Sequence, residues 1–173
     1  MRGVVVGAAF VVFAGALAAQ PKTETVTSTA GKYTAQFPGK PKITTPTAKS
    51  AIGDLQVTVA TFATADANVY LTSHTDYPVA AVKAENRKTL FDGIRDGMKG
   101  SKGEVVSEKD FEFGPDKLPA REVVVDRDKG KQRIMYRAIL RDNRLYQVVV
   151  IGTPEFVSGK DATAFVASLE LTK

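Results

Sequence analysis

The chain's single histidine lies in a stretch whose residue types could support acid–base chemistry. His74 follows Ser73 and precedes Asp76 by two positions, in the sequence SHTD. A Ser-His-Asp relay requires a nucleophile, a base and an orienting acid that converge in space. In a strand, Ser73 points to the face opposite His74, and no G-x-S-x-G motif supplies another serine. The stretch therefore predicts a strand on which His74 and Asp76 share one face.

The sequence gives little support for a metal-binding site or a phosphate-binding loop. With one histidine and no cysteine, a zinc site would consist mostly of carboxylates, which is uncommon. The stretch DRDKG begins like a calcium loop, but Gly130 occupies its third ligand position and Arg137 its twelfth. GMKGSKG follows a predicted helix, whereas a phosphate loop opens one. We therefore expect no metal ion and no cofactor.

Arg121 is the most informative charged residue. It shares the predicted apolar face of a strand with Val123, so its guanidinium must either reach water at a sheet edge or contact an anion or carboxylate. Asp92 and Asp96, at i,i+4 spacing, are predicted to lie on a charged, solvated helix face. No catalytic residue is assigned, and the candidates for ligand binding are Arg121, Tyr136, His74 and Asp76.

Alternating patterns predict the strands that position these side chains. Tyr33 to Phe37, Leu55 to Thr61 and Val69 to Asp76 alternate between apolar and polar residues. A turn at Lys129-Gly130 predicts a hairpin in which three opposite-charge pairs share one face: Asp128 with Lys131, Asp126 with Arg133, and Glu122 with Arg137. The same register places Val125 opposite Ile134, and Val123 opposite Tyr136, on the other face.

A second turn at Asp142-Asn143 extends this meander. It predicts three further pairs: Leu140 with Leu145, Tyr136 with Val149, and Ile134 with Ile151. The next strand, LYQVVVIG, is apolar on both faces, which indicates a central strand covered on both sides.

Helical spacing predicts one long helix that begins near Pro78, with Asp76 as a possible cap, and ends at Gly100 to Gly103. A short helix near the end has Phe165, Val166 and Leu169 on its apolar side. The elements predict an α+β fold: an antiparallel meander sheet of about six to eight strands with one long and one short helix packed on it, an α/β/α sandwich.

The N-terminal residues differ in kind from the rest of the chain. Arg2 precedes an uncharged run from Gly3 to Leu17, and small residues follow where a signal peptidase cleaves. We predict a signal peptide over residues 1–19, a threonine-rich tether over 20–31 and a single domain over 32–173, exported to the periplasm or the cell exterior. After cleavage nothing remains to insert into a membrane; the alternative is an uncleaved N-terminal anchor.

The composition limits the classes of partner that the protein is expected to bind. The formal net charge is +5, or +4 without Arg2, and the positive residues form no stripe, so nucleic acid is not an expected partner. The chain has no cysteine, so an exported domain of this length must rely on its core instead of disulfides.

The order of elements and a few short motifs resemble a known group of domains. A Y-x-x-x-FP strand opens the domain, a long helix follows the early strands, and the chain closes with DNRLYQVVVIG and FVASLEL. In these features the sequence resembles the PsbP-like group of exported α/β/α sandwich domains. It departs from that group because Leu169, not phenylalanine, follows Ser168 and because it has no tryptophan. The resemblance implies a non-catalytic accessory or binding role.

Three functions follow from these observations. The leading interpretation is an exported, non-enzymatic accessory or scaffold domain that binds an unknown protein of the cell envelope. The first alternative is a binder of a small ligand in a sheet–helix crevice, with Arg121 or Tyr136 as polar groups. The second is a hydrolase whose carboxylates converge only in the fold.

Overall fold

The computed structural model describes residues 23–50 and 52–173. The predicted signal peptide, residues 1–19, lies outside these residues, as does the start of the predicted tether. Within them the strands are β1 (Glu24–Ser28), β2 (Tyr33–Phe37), β3 (Lys42–Thr44), β4 (Thr47–Ser50), β5 (Gly53–Ala63), β6 (Val69–Asp76), β7 (Glu104–Phe113), β8 (Leu118–Arg127), β9 (Gln132–Arg141), β10 (Arg144–Gly152) and β11 (Glu170–Leu171). The helices are α1 (Arg87–Lys99), α2 (Pro154–Val157) and α3 (Lys160–Ala167).

The main sheet is antiparallel and has the order β3, β5, β6, β10, β9, β8, β7, with β4 paired to β5 off this path. β10 lies in the middle, and side chains on both of its faces are buried, among them Tyr146, Val148 and Val149. This confirms the central strand predicted from LYQVVVIG. A smaller sheet has the order β1, β2, β11.

The hairpin of β8 and β9 has the predicted register. Val125 pairs with Ile134, and Val123 with Tyr136. The ladder also contains two of the three predicted charge pairs, each joined by an ion pair: Asp126 with Arg133, and Glu122 with Arg137. The alternation with a period of two residues therefore identified the correct cross-strand partners, because a slip of one residue would exchange the apolar and charged faces.

The turn of this hairpin is longer than predicted. The last ladder pair joins Arg127 to Gln132, and a 3-10 turn follows in which Asp128 and Lys129 have positive φ angles of 48° and 55°. The backbone N–H of Lys131 donates to the Asp128 carbonyl. The predicted strand pair of Asp128 with Lys131 is therefore wrong, because both residues belong to the turn.

The next hairpin, β9 to β10, has the predicted two-residue turn. Asp142 adopts a φ of 54°, a conformation that aspartate tolerates. All three predicted ladder pairs are present: Leu140 with Leu145, Tyr136 with Val149, and Ile134 with Ile151.

Helices cover both faces of the main sheet. On one face α1 packs over a core that includes Phe91, Val123, Tyr136 and Val149. On the other face α2, α3 and the smaller sheet enclose a second core, represented by Tyr33, Phe37, Val148, Phe165 and Val166. The fold is therefore α+β, with an antiparallel sheet between helical layers, as predicted.

The long helix begins later than predicted. Two 3-10 turns, Val79–Val82 and Ala84–Asn86, occupy the segment after Pro78, and α1 starts at Arg87. The helix ends as predicted at Gly100, which has a φ of 66° and donates its N–H to the carbonyl of Asp96.

Four strands were not predicted: β1, β3, β4 and β7. Residues Glu24–Ser28, assigned from composition to the tether, form β1 and pair with β2 through partners such as Val26 and Ala35. The tether prediction is wrong for these residues, because threonine and valine suit a strand as well as a linker. β7 was missed because nearly all of its side chains are exposed, so its apolar pattern is weak.

Candidate functional site

The most densely charged site lies between α1 and the edge of the main sheet, around Arg121. In the β7–β8 ladder Arg121 lies directly opposite Asp110, and both side chains face α1. The guanidinium donates to both carboxylate oxygens of Asp110. Its Nη1 also lies 2.6 Å from Asp92 Oδ1 and 2.7 Å from Glu108 Oε1. The side chain is only 6% exposed, so Arg121 contacts carboxylates instead of reaching water at the edge.

Neighbouring charges extend this cluster along α1. Arg95 contacts Asp92, Asp96 and Glu108, and Lys88 Nζ donates to Asp92 Oδ2 at 2.6 Å. The hydrogen bonds from Lys88 and Arg121 lower the pKa of Asp92 to about 2. Asp92 therefore belongs to a network that joins α1 to β7 and β8, and not only to a solvated helix face as predicted.

This chemistry suits an ion-pair network better than a catalytic centre. A general acid must be protonated near its working pH, which requires a raised carboxyl pKa. The pKa of Asp92 is lowered instead, and the bidentate contact with Asp110 raises the pKa of Arg121. Asp92 is thus held ionised by the cations that it contacts.

A groove of about 610 Å³ opens beside the cluster, between the start of α1 and the β7–β8 hairpin. Its lining has an apolar part, called the floor below, and a charged part, called the rim. The floor is formed by Phe91, Phe111, Pro119 and Ala120. The rim is formed by Arg87, Lys88, Glu112 and Lys117, and Asp110 and Arg121 complete the lining.

Tyr136 lies on the same face of the sheet as Arg121, one strand farther from the edge, so the structure places these two predicted residues beneath the same helix. The tyrosine side chain is fully buried, and its hydroxyl has no hydrogen-bond partner among the described residues. Burial raises the pKa of Tyr136, and the nearby charge of Glu108 raises it further. Tyr136 is a core residue and does not line the groove.

His74 and Asp76 lie on the opposite face of the sheet from α1. The His74 ring packs edge-on against Tyr33 with ring centroids 5.9 Å apart, and its Nδ1 has no partner within the described residues. Burial, followed by the positive charge of Arg144, lowers the pKa of His74. The alternation that separated Ser73 from His74 is therefore confirmed, and the pair His74 and Asp76 does not line a crevice beneath α1.

Asp76 is held by an arginine on the neighbouring strand. Arg144 donates to both Asp76 oxygens at 2.6 and 2.7 Å, and these hydrogen bonds lower the pKa of Asp76. The helical turn after Pro78 has no side-chain cap. The suggestion that Asp76 caps the following helix is thus wrong, because its carboxylate is paired with Arg144.

Around Arg144 a second cavity of about 400 Å³ opens at the end of the sheet that carries the β9–β10 turn. Charged side chains from separate segments surround it. Its lining residues are Lys32, Asp76, Arg141, Asp142, Asn143, Arg144, Tyr146 and Lys173. Of these only Asp76 was among the candidates from the sequence.

Two functional partners of Arg121 were missed from the sequence. Glu108 and Asp110 lie on β7, which was not predicted as a strand. A signal was available, because Phe111 and Phe113 alternate with charged residues and the turn-forming sequence GPD follows. Extending the hairpin register backwards across that turn would have placed Asp110 opposite Arg121.

Comparison with solved structures bears on the fold. The solution structure of cyanobacterial PsbP from Synechocystis sp. PCC 6803 superimposes with a TM-score of 0.60 and 10% sequence identity, covering 89% of this chain and 95% of that one. The chain has a PsbP-like fold. This confirms the resemblance drawn from the order of elements, at the level of fold.

Two further solved structures match the PsbP-like fold of this chain at lower scores. The Ran-binding protein Mog1p of Saccharomyces cerevisiae gives a TM-score of 0.47 at 10% identity, over 89% of this chain and 97% of that one. A Pseudomonas aeruginosa protein of unknown function, described as a putative regulator, gives 0.40 at 8% identity, over 82% and 90%. No family model and no curated protein sequence matches the chain.

Within this PsbP-like fold the two candidate sites lie on different faces of the main sheet. The Arg121 groove lies at the β7–β8 edge next to the start of α1, and the cavity at Arg144 lies on the face shared with β2 and Tyr33. In residues 23–50 and 52–173, no helix has the length and hydrophobicity needed to cross a bilayer.

Proposed function

We propose that this protein is an exported, non-enzymatic binding domain of the cell envelope, and that it docks a segment of a partner protein in the groove beside Arg121. The observation that carries the proposal is the groove itself, an apolar floor with a charged rim. Such a surface accommodates a side chain of a partner on the floor and orients it by polar contacts at the rim.

The floor favours an apolar anchor. Phe91 belongs to the α1-side core, whereas Phe111 and Ala120 pack with the core on the other face. Together with Pro119 they line the groove where it crosses the β7–β8 edge of the sheet. Aromatic and aliphatic side chains that enter a preformed apolar pocket dominate the energy of most protein interfaces. We therefore expect one large apolar side chain of the partner to occupy this floor.

The rim favours an acidic group beside that anchor. Arg87 and Lys88 project from the first turn of α1, and Lys117 projects from the opposite wall. Lys117 lies 3.9 Å from Glu112 with both side chains exposed, a pair that water screens and that a partner carboxylate could replace. The fitting occupant is thus a segment of a partner protein with an apolar side chain next to an aspartate or glutamate.

The charged cluster supports a binding role over hydrolysis. Asp92, Glu108 and Asp110 converge, as a carboxylate-based hydrolase would need, but each contacts Arg121. Such a mechanism needs a carboxyl group with a raised pKa as proton donor, whereas the pKa of Asp92 is lowered by its contacts with Lys88 and Arg121. The cluster instead fixes α1 against the hairpin and keeps the groove in one shape.

A site-specific crosslinking experiment tests the docking site. A photoreactive amino acid at position 117 should capture a partner in cells, whereas the same group at position 42, exposed on the far edge strand, should not. Equal crosslinking at both positions would contradict the proposal.

Affinity for the captured partner provides the second test. Arg87→Glu combined with Lys117→Glu should weaken binding of the purified partner by about tenfold or more, because two rim cations become repulsive. Lys42→Glu is the matched control and should leave the affinity unchanged. Loss of binding in the control, or turnover of a substrate abolished by Arg121→Lys, would favour a different function.

Export is tested separately at the N-terminus. We expect the protein purified from its own cells to begin near residue 20 and to be found in the periplasmic or extracellular fraction. An intact N-terminus in the membrane fraction would instead support the uncleaved anchor.

A further inference from the structure

A second, independent site is the cavity around Arg144, on the other face of the sheet. Its volume of about 400 Å³ lies in the range of pockets that bind small molecules. Four chain segments build its wall: the turn between β1 and β2, the end of β6, the β9–β10 hairpin around its turn, and the residues after β11. None of its residues belongs to the groove proposed above for a partner protein.

The lining side chains carry an excess of positive charge. Asp116, just outside the lining, lies 3.6 Å from Arg141 Nη2, so four cations face three carboxylates and one positive charge is left over. The cations are Lys32, Arg141, Arg144 and Lys173, and the anionic lining residues are Asp76 and Asp142. Asp76 is already bound by Arg144 through two hydrogen bonds. Among the described residues, no carboxylate lies within 4.0 Å of the Lys32 or Lys173 ammonium group.

The frame that holds these cations is connected by hydrogen bonds. Arg144 donates to Asp76 and also to the carbonyl of Ala30 at 2.7 Å. Arg141 donates to the carbonyl of Thr172 at 2.7 Å, and the backbone N–H of Thr172 donates to the carbonyl of Lys32. The four segments are therefore tied together before any ligand arrives, which lowers the entropy cost of binding.

The backbone conformation of Lys32 is consistent with a role of its side chain in the cavity. Its φ of 54° is unusual for a lysine, and it turns the chain so that the side chain lines the cavity while its carbonyl bonds to Thr172. Residues kept in this region of backbone space against their intrinsic preference concentrate at binding sites.

We propose that this cavity binds the phosphate group of a small phosphate ester. A phosphate monoester carries a charge of about −1.5 to −2 at neutral pH, and the excess of positive side chains around the cavity attracts it. The guanidinium of Arg141 and the ammonium of Lys32 supply donors from two sides, and lysine and arginine are the usual ligands of phosphate oxygens. Asp142 and Tyr146 also line the cavity, next to the space left for the remainder of the ester.

Titration with inorganic phosphate tests the site directly. The protein produced from its full coding sequence is titrated at constant ionic strength, with amide chemical shifts as the readout. We expect saturable shifts at Lys32, the β9–β10 turn and Tyr146. Lys32→Gln and Arg141→Gln should each weaken phosphate binding about tenfold, because each removes a charged donor.

Two features keep this test decisive. Lys42→Gln removes an exposed lysine from the far edge strand and should leave phosphate binding unchanged. Arg141 also bonds to Thr172, so its variant could alter the local fold; Lys32→Gln changes an exposed side chain only and carries the conclusion if Arg141→Gln unfolds.

A vesicle-binding assay distinguishes a free phosphate ester from a lipid headgroup as the ligand, because both carry a phosphate group. Phosphatidylcholine vesicles with and without phosphatidic acid are compared in a sedimentation assay. Binding to the phosphatidic acid vesicles alone, lost in Lys32→Gln and kept in Lys42→Gln, supports the site with a lipid source. Saturable binding of free phosphate with the same variant dependence supports a soluble source. No binding in either arm, or equal losses in Lys32→Gln and Lys42→Gln, overturns the proposal.

Discussion

Arg121 and Asp92 lie 2.6 Å apart although one belongs to strand β8 and the other to helix α1. The same guanidinium contacts Glu108 and Asp110 on β7, so one buried side chain joins three elements. It also lies over the Phe91 ring, with 5.5 Å between the guanidinium carbon and the ring centroid. This residue therefore determines how α1 is placed beside the groove.

Replacing Arg121 should destabilise the fold strongly. We expect Arg121→Met to lower the free energy of unfolding by about 3 kcal/mol, because it leaves three carboxylates close together without their shared cation. Urea denaturation followed by circular dichroism measures this loss. Lys88→Met removes a partner of the same Asp92 from an 81% exposed position and should cost at most about 0.5 kcal/mol. Equal losses in the two variants would show that Arg121 has no special role.

The hairpin register can be tested by a double-mutant cycle. Arg133 contacts both oxygens of Asp126, at 2.7 and 2.8 Å, and each side chain is 21% exposed. We expect Arg133→Glu to destabilise the protein by about 1 kcal/mol, and the addition of Asp126→Lys to recover part of that loss. Additive effects of the two substitutions, measured by urea denaturation, would argue against a direct pair.

Gly31 should be intolerant of any side chain. A Cβ atom there would lie 2.6 Å from Ser28 Oγ and 2.7 Å from His74 Nδ1, inside van der Waals contact. We expect Gly31→Ala to lower the free energy of unfolding by about 1 to 3 kcal/mol. Gly97→Ala is the control, because the position is helical and nothing lies within 4 Å of its Cβ. It should raise the thermal midpoint, since alanine stabilises a helix by about 0.5 to 1 kcal/mol relative to glycine.

Stability should fall as the pH drops below the usual pKa of histidine. Burial lowers the pKa of His74 below 6.5, so the unfolded chain takes up a proton before the folded protein does. The contribution of the neutral His74 to stability is fully present above pH 6.5. It is lost as the pH falls towards the lower pKa of His74 in the folded state. The free energy of unfolding should therefore be smaller at about pH 5.5 than at about pH 7.5.

Substitution of His74 measures how much of the pH dependence of the free energy of unfolding comes from this residue. In His74→Gln the difference between the two pH values should shrink, whatever the variant's absolute stability. Charged neighbours are not an alternative source, because the carboxyl groups of Asp76, Asp92 and Asp126 have lowered pKa values and titrate at more acidic pH. An unchanged pH difference in His74→Gln would contradict the assignment.

The local sequence pattern was sufficient to predict the strand pairing in much of the main sheet. The pairs Asp126 with Arg133 and Tyr136 with Val149 follow from two turns and a period of two, because antiparallel partners across a short turn have a constant sum of residue numbers. The central position of β10 follows equally from its composition, since a strand that is apolar on both faces must be covered on both. These features involve residues close in the sequence.

The start of α1 shows where pattern fails. The segment after Pro78 carries helical spacing, yet the structure forms two 3-10 turns there before Arg87. The apolar residue Val82 packs into the α1-side core from one of these turns, so spacing alone predicts burial but not helix type. The same limit applies to β1, where threonine-rich composition is compatible with both a tether and a strand.

The sequence by itself determined the α+β fold class, the hairpin registers and the separation of Ser73 from His74, because each depends on the alternation of neighbouring residues. Only the tertiary structure decided the environment of Arg121, which contacts carboxylates at positions 92, 108 and 110. It also brought Lys32 beside Arg141 and Arg144. Contacts between residues far apart in the chain depend on how whole elements pack, and no local period encodes them.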